Sequence, residues 1–382
     1  MASVTCRFAS ADYRTPKIDA IGYDDQVSQK YIEVAIAFRY TDEVNGDFEI
    51  GVLRARWTED DLEPPTIGEP SWVSVIYGED FEPYGMNNSD LTPDVAYDPY
   101  TNDLYLVWTR YYEYEKLHCV HYMHYDHDMD QWYGPWLGQS LDHHGWIPRI
   151  DVGTTNDFLG FDSGNNVVVV YTAQNCGNYN FHTHINAWPA GSNGSHASDQ
   201  CIIDPDWDDR MAGLPCVDIS PEANGHPIVA VAFIQNRPPP GIATHFGITL
   251  WNSHNEQFTH VSTEASYGIG QAVFPSVAVH YHENTLPVNQ RVSVSYFMSN
   301  QYGAWVPRAK WVRIGGSMGQ LVDIDPFGQG EWPEIYSNVQ YAYGLNTALT
   351  VFDDQSYWVA WSDRAGYGGR PVRVKATYGF TD

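Results

Sequence analysis

One pattern recurs six times along the chain, and it constrains the fold more than any other feature. Apolar alternation builds to a run of Val, Tyr, Trp and Phe and then stops at polar residues. The copies are Tyr31–Tyr40, Asp103–Tyr112, Asn166–Asn175, His226–Asn236, Gln290–Asn300 and Ser356–Gly366. Period-two patterning with β-branched and aromatic content marks each as a buried strand. Ahead of the first five stands a proline that opens a weaker alternating segment: Pro16, Pro93, Pro148, Pro215 and Pro275. A proline at the first residue of a strand forfeits no ladder bond. For the sixth copy two openings compete, Pro333-Glu334-Ile335 and the segment Thr347–Phe352.

A third strand follows each polar loop, at Phe48–Trp57, Leu117–Tyr125, Phe181–Trp188, Ala243–Trp251, Val306–Ile314 and Val372–Tyr378. A fourth, outer strand is harder to discern. Small sheets of this kind, repeated radially, bury both faces against their neighbours. The expectation is therefore an all-β, six-bladed β-propeller spanning residues 1–382 as one domain. Ser3–Phe8 alternates ahead of the first proline, and is expected to supply the strand missing from the last blade and so close the ring. A β-sandwich is the rival, but no duplication at this period is expected of one.

Composition narrows the function. The 20 Lys+Arg stand against 48 Asp+Glu, a formal charge of −28, which repels nucleic-acid backbones. No apolar stretch is long enough for a membrane span. The acid is scattered and reads as a solubilising surface, with calcium at acidic turns as the functional rival. Five cysteines exclude full pairing; Cys176 with Cys201, or Cys201 with Cys216, would close a loop in an extracellular protein. No secretory signal is visible at the start of the chain, and the expected location is extracellular or on a cell or virion surface. Oligomeric state is not encoded in any motif.

Propeller ligands gather where loops enter the first strands and leave the second. Leaving second strands are Arg39, Arg110, Gln174, Arg237, Asn300 and Arg364; entering first strands are Tyr13, Arg14, Asp90, His143, His144, Asp209, Arg210 and Glu331. Arginines so placed suit carboxylates, sulfates or phosphates through bidentate bonds. The competing reading is that they pair structurally with the abundant acids.

Tyr13-Arg14-Thr15-Pro16 is similar to the F/Y-R-I-P motif that opens the sialidase propeller, whose Arg binds the sugar carboxylate. Ala37-Phe38-Arg39, the Gly46-Asp47 loop and Val52–Trp57 resemble that family's first blade. The resemblance implies an acid/base role for Asp47, further carboxylate-binding roles for Arg308 (after Ser299-Asn300) and Arg237, and the nucleophile's place for Tyr336. Thr15 departs from the motif. The family's Asp-box survives only as degenerate relatives at Asp126–Trp132 and Asn252–Phe258. These departures count against sialidase activity proper, while the wider sialidase-like superfamily is implied.

Hydrolysis of a glycoside needs two spaced carboxyl or equivalent groups. A lyase instead needs a base and a cation beside a uronate, which His143 or His144 with Arg110 and Arg149 would provide. The run His118–His127 invites a metal reading, but His118 and His124 are roughly 20 Å apart along a strand, and His121 faces the other way. His182 and His184 are better spaced, although burial as core histidines is the commoner fate. The resulting expectation is a glycan partner and no required cofactor. The chain is then either an enzyme acting on acidic polysaccharide or glycoconjugate, or a non-catalytic lectin, adhesin or receptor-binding propeller.

Overall fold

The computed structural model describes residues 17–24, 29–41, 48–58, 71–77, 88–112, 117–137, 144–174, 181–192, 198–202, 212–220, 227–235, 247–254, 256–261, 272–280, 291–299, 305–313, 322–324, 347–351, 356–363 and 373–380. Among these residues every regular element is a strand.

The strands form six small antiparallel sheets, each a meander in chain order. The first holds β1 (Lys17–Asp24), β2 (Lys30–Thr41), β3 (Phe48–Thr58) and β4 (Ser71–Tyr77); the second holds β5 (Asn88–Tyr97), β6 (Leu104–Tyr112), β7 (Leu117–Asp126) and β8 (Gln131–Leu137). The third holds β9 (His144–Thr155), β10 (Gly164–Gln174), β11 (Phe181–Pro189) and β12 (Ser198–Cys201). Then come β13 (Ala212–Ile219), β14 (Val229–Gln235), β15 (Gly247–Asn252) and β16 (Gln257–His260), followed by β17 (Ala272–His280), β18 (Arg291–Ser299), β19 (Trp305–Arg313) and β20 (Val322–Ile324). The last sheet has three strands, β21 (Thr347–Val351), β22 (Ser356–Asp363) and β23 (Arg373–Phe380). Of the two openings for the sixth copy, Thr347–Phe352 is the strand, and Pro333 lies outside the described residues. The chain divides into two compact units, residues 1–152 with 190–197 and residues 153–189 with 198–382.

In the first unit, one face of the first sheet packs on the second sheet. Ala35, Ala37, Ile50 and Val52 meet Val95, Tyr97, Leu106, Trp108 and Met123. The small side chains on β2 let the large aromatics of β5 to β7 approach, as close packing requires. A charged group lies in the same interface. Glu33 on β2 is buried and accepts from Arg54 Nε at 2.7 Å, Arg56 Nη2 at 2.8 Å, Tyr97 Oη at 2.9 Å and Tyr23 Oη at 3.3 Å. The Arg54 guanidinium lies 3.8 Å from the centre of the Tyr125 ring. Burial works against the Glu33 carboxylate, but the two arginines prevail and hold its pKa below the usual carboxylate range.

In the second unit, Ala230, Ala232, Ile234, Ile248 and Leu250 pack against Val277, Val279, Val292, Val294 and Tyr296. The opposite face of β14 carries Val229, Val231 and Phe233, which pack with Val168, Val170, Ile185 and Trp251. Sheets buried on both faces read as continuous apolar runs, which is why the second strands were conspicuous in sequence. Cys119 and Cys216 are buried thiols outside any disulfide, which removes the Cys201–Cys216 pairing; Cys216 Sγ donates to the Ala232 carbonyl instead.

Two devices recur between neighbouring first strands. The first is a carboxylate clasp: Asp19 accepts from Tyr97 N at 2.7 Å, Asp94 from Ile150 N at 3.2 Å, and Asp218 from Val279 N at 2.6 Å. The second surrounds the opening prolines among the described residues, Pro93, Pro148, Pro215 and Pro275. The pairing of β5, β13 and β17 shifts register there, between Leu91 and Asp94, Gly213 and Cys216, and Val273 and Ser276. The residue before the proline takes a positive φ in three strands: Thr92 (49°), Ile147 (56°) and Leu214 (50°). A threonine on the preceding second strand receives the strained residue's N–H, Thr109 from Ile147 at 3.1 Å and Thr172 from Leu214 at 2.9 Å.

Candidate functional site

The upper end of the second sheet, where β5 begins and β6 ends, gathers charged, aromatic and histidine side chains of the first unit. Strand alternation sorts them onto two faces. Trp108, Arg110 and Tyr112 on β6 lie opposite His121, Cys119 and Leu117 on β7; Thr109 and Tyr111 lie opposite Val120 and His118.

On the first of these faces Arg110 binds Asp90 through two bonds of 2.8 Å, Nε to Oδ1 and Nη2 to Oδ2, and both side chains are buried. Burial pushes the Asp90 carboxyl upward and the two bonds from Arg110 oppose it. Beside this pair His121 shares a 2.9 Å hydrogen bond through Nε2 with Tyr112 Oη and stacks on Trp108 at 5.5 Å. Burial first, and then the Arg110 charge, push the His121 imidazole down to about 3. It is therefore neutral at physiological pH, and proton transfer from the Tyr112 phenol to it is strongly disfavoured. The pair orients the phenol as a hydrogen-bonding group; it is a poor proton acceptor.

On the second face His118 lies between two aromatic rings, Tyr111 at 4.6 Å and Trp146 of β9 at 5.3 Å with an interplanar angle of 17°. All three are half-buried. Thr92 and Thr109 join hydroxyls at 3.0 Å beneath them.

The sequence-derived candidates distribute as follows. Arg110 is one half of the buried ion pair, the structural alternative weighed for these arginines. Arg39 lies near the end of β2 with its guanidinium 4.2 Å over the Phe48 ring. Arg308 is half-buried on β19 in the second unit, opposite Tyr296. His144 is the first residue of β9. Arg14, Asp47, His143, Arg237, Tyr336 and Arg364 lie outside the described residues.

The histidine run separates as strand geometry demands. His118 joins the aromatic stack and His121 meets Tyr112, while His124 binds Asp103 at 3.0 Å and stacks on Tyr105 at 4.6 Å. His184 stacks on Tyr171, and His182 is buried with no hydrogen-bond partner among the described residues. No cluster of three or more His, Cys, Asp or Glu side chains that could hold a metal occurs among the described residues. The two degenerate Asp-box segments occupy equivalent hairpins, β7–β8 and β15–β16. Their aromatic ends pair as Tyr125 with Trp132 and Trp251 with Phe258, and Asp130 and Glu256 share a φ of 50–51°. Within the first hairpin, Asp126 and Asp130 accept bonds from Met129 N and the Tyr125 hydroxyl.

The Glu33–Arg54–Arg56 network was missed in sequence. Its signal was present: a lone acid inside an apolar strand, with two arginines at alternate positions on the next strand.

No known family pattern matches the sequence, and no curated protein matches it. Solved structures do match. An α-L-arabinanase of Penicillium chrysogenum complexed with arabinobiose aligns over 96% of this chain and 93% of its own, at 11% identity and a TM-score of 0.50. A mutant α-L-arabinofuranosidase of Fusarium graminearum, bound to an iminosugar inhibitor, aligns over 96% and 93% at 10% identity and a TM-score of 0.51. The NanB sialidase of Streptococcus pneumoniae aligns over 94% of this chain and 66% of its own at 9% identity and a TM-score of 0.48. The chain thus shares the β-propeller fold of the arabinanase and the arabinofuranosidase, and at these identities the likeness is one of fold alone.

Proposed function

We propose that the chain is a carbohydrate-recognising propeller whose glycan site lies at the upper end of the second sheet. The observation that carries this reading is the grouping there of half-buried aromatic side chains on both faces of the sheet, Tyr111, His118 and Trp146 on one, and Tyr112 on the face that also carries the Arg110–Asp90 pair. Aromatic rings with polar tips suit sugars, which offer apolar faces and hydroxyl edges. Structural neighbours that hold arabinobiose and an iminosugar support the same class of ligand. The reading requires no cofactor, and places the protein outside cells or on a cell or virion surface.

Six blades in one domain, closed by the N-terminal segment beside β23, complete the proposal. The three-stranded last sheet supports it. Deleting residues 1–9 is expected to lower the melting temperature sharply; an unchanged value refutes closure by that segment.

A glycan array, followed by a product assay on each bound glycan, tests the function. Binding without turnover is the expected outcome for a lectin or adhesin. Turnover favours the hydrolase reading, which rests on the fold of the arabinanase and arabinofuranosidase neighbours. Absence of any bound glycan refutes both.

A further inference from the structure

We propose that Trp146 is the stacking platform for an uncharged sugar ring, a reading that rests on the glycan recognition proposed above. The case begins with the repeated bulge. The residue two places before the proline is presented by the same backbone device in several first strands, yet its identity differs each time: Leu91, Trp146, Gly213 and Val273. At Gly213 an added Cβ would lie 3.1 Å from both Thr172 Oγ1 and Cγ2, so Thr172 would have to give by a few tenths of an ångström. Of these four positions, only that of Trp146 carries an aromatic ring.

The local backbone is strained there, as it is at the equivalent Thr92 and Leu214. Ile147 is β-branched and holds a φ of 56°, a conformation that such residues rarely adopt. It also precedes a proline, which ordinarily enforces an extended conformation. Thr109 Oγ1, receiving the Ile147 N–H at 3.1 Å, is the described contact that fixes it. Strain of this kind concentrates at ligand sites, where the surrounding structure over-determines one geometry. Here its effect is to set Trp146 parallel to His118, half-buried, with Tyr111 extending the aromatic surface.

Charge selects the class of sugar. Arg110 lies on the other face of the sheet and is matched by Asp90. Arg149, the nearest cation on β9, turns onto its own chain and donates to the Pro148 carbonyl at 2.7 Å. Thr92 and Thr109 offer hydroxyls only. The chain as a whole carries −28, which repels polyanionic glycans at long range. An uncharged pentose or hexose ring fits this surface; a uronate or sialate does not.

The test is titration of the full-length protein with two probe sets, neutral pentose and hexose oligosaccharides and uronic-acid oligosaccharides, read by tryptophan fluorescence and calorimetry at low and high salt. Neutral probes are expected to bind with little salt dependence. Trp146→Ala should weaken binding about tenfold, the scale of one aromatic stack, and Trp146→Phe should retain most of it. Thr109 is a positioning residue, so Thr109→Val should weaken binding while Thr109→Ser restores it. Preference for uronic-acid probes with steep salt dependence overturns the inference and leaves glycan recognition standing. Unchanged affinity in a folded Trp146→Ala protein also overturns it. Failure of the native protein to bind either set refutes the broader reading instead.

Discussion

Replacing Glu33 with alanine removes the carboxylate that binds both Arg54 and Arg56 in the interface between the first two sheets. Arg54 is fully buried, so its charge would remain in a low-dielectric interior without its counter-ion, and Tyr97 Oη would lose its acceptor. Removing one partner of a buried pair costs about 3–5 kcal/mol. Arg56 is 29% exposed and regains water, so most of that loss is assigned to Arg54. Glu33→Gln keeps the shape and one acceptor, and should fall between the native protein and Glu33→Ala. The double variant Glu33→Leu/Arg54→Met should recover most of the loss, because a buried ion pair rarely outperforms well-packed apolar groups. Urea unfolding followed by tryptophan fluorescence gives these differences. The pH dependence has a definite sign. The folded pKa of Glu33 is depressed, so its contribution is complete above the ordinary carboxylate value and is lost as pH falls through the lower folded one. A cost under about 1 kcal/mol for Glu33→Ala, or a double variant as unstable as the two single changes summed, refutes the reasoning.

Asp19 should behave in the opposite sense. Burial, and then the Asp94 charge against the opposing backbone bonds, push its pKa up to about 6. Its penalty is absent below the unfolded value and complete above the folded one. Asp19→Asn, which can still accept the Tyr97 N–H, should therefore stabilise the protein at pH 7.5 by roughly 1–2 kcal/mol, below the ~3 kcal/mol that the full rise would correspond to, because the side chain is partly exposed. The gain should vanish near pH 4 in the same urea assay; a gain that persists there contradicts the assignment. Gly51→Ala would place a Cβ 2.6 Å from the Phe38 ring and should lower stability by about 1–3 kcal/mol, measured by thermal unfolding. Gly164→Ala, at a φ of 144° with open space around it, should be unfavourable through backbone conformation alone, by about 1 kcal/mol.

What could be read from the sequence follows from where the physics is local. Second strands such as Leu104–Tyr112 are buried on both faces and announce themselves by composition. Outer strands such as Ser198–Cys201 are short and carry little pattern, so only pairing reveals them. Thr347–Val351 has no opening proline, which left it in competition with Pro333. The positive φ at Thr92, Ile147 and Leu214 was illegible because a residue before proline ordinarily extends. At the site, sequence placed Arg110 and Asp90 at the same end of neighbouring strands but left open whether Arg110 meets ligand or acid. The register of β5 against β6 sets them opposite one another, which resolves it in favour of the pair. Trp146 drew no notice because its place depends on a strained neighbour and on a histidine in another strand.

Hydrogen exchange of the native protein, with and without a saturating concentration of its best array glycan, addresses glycan recognition at this sheet end most directly. Slowed exchange confined to peptides covering residues 108–121 and 145–149 is the predicted result. A tight-binding glycan that leaves those peptides unchanged and protects a different stretch would place the site elsewhere and contradict it.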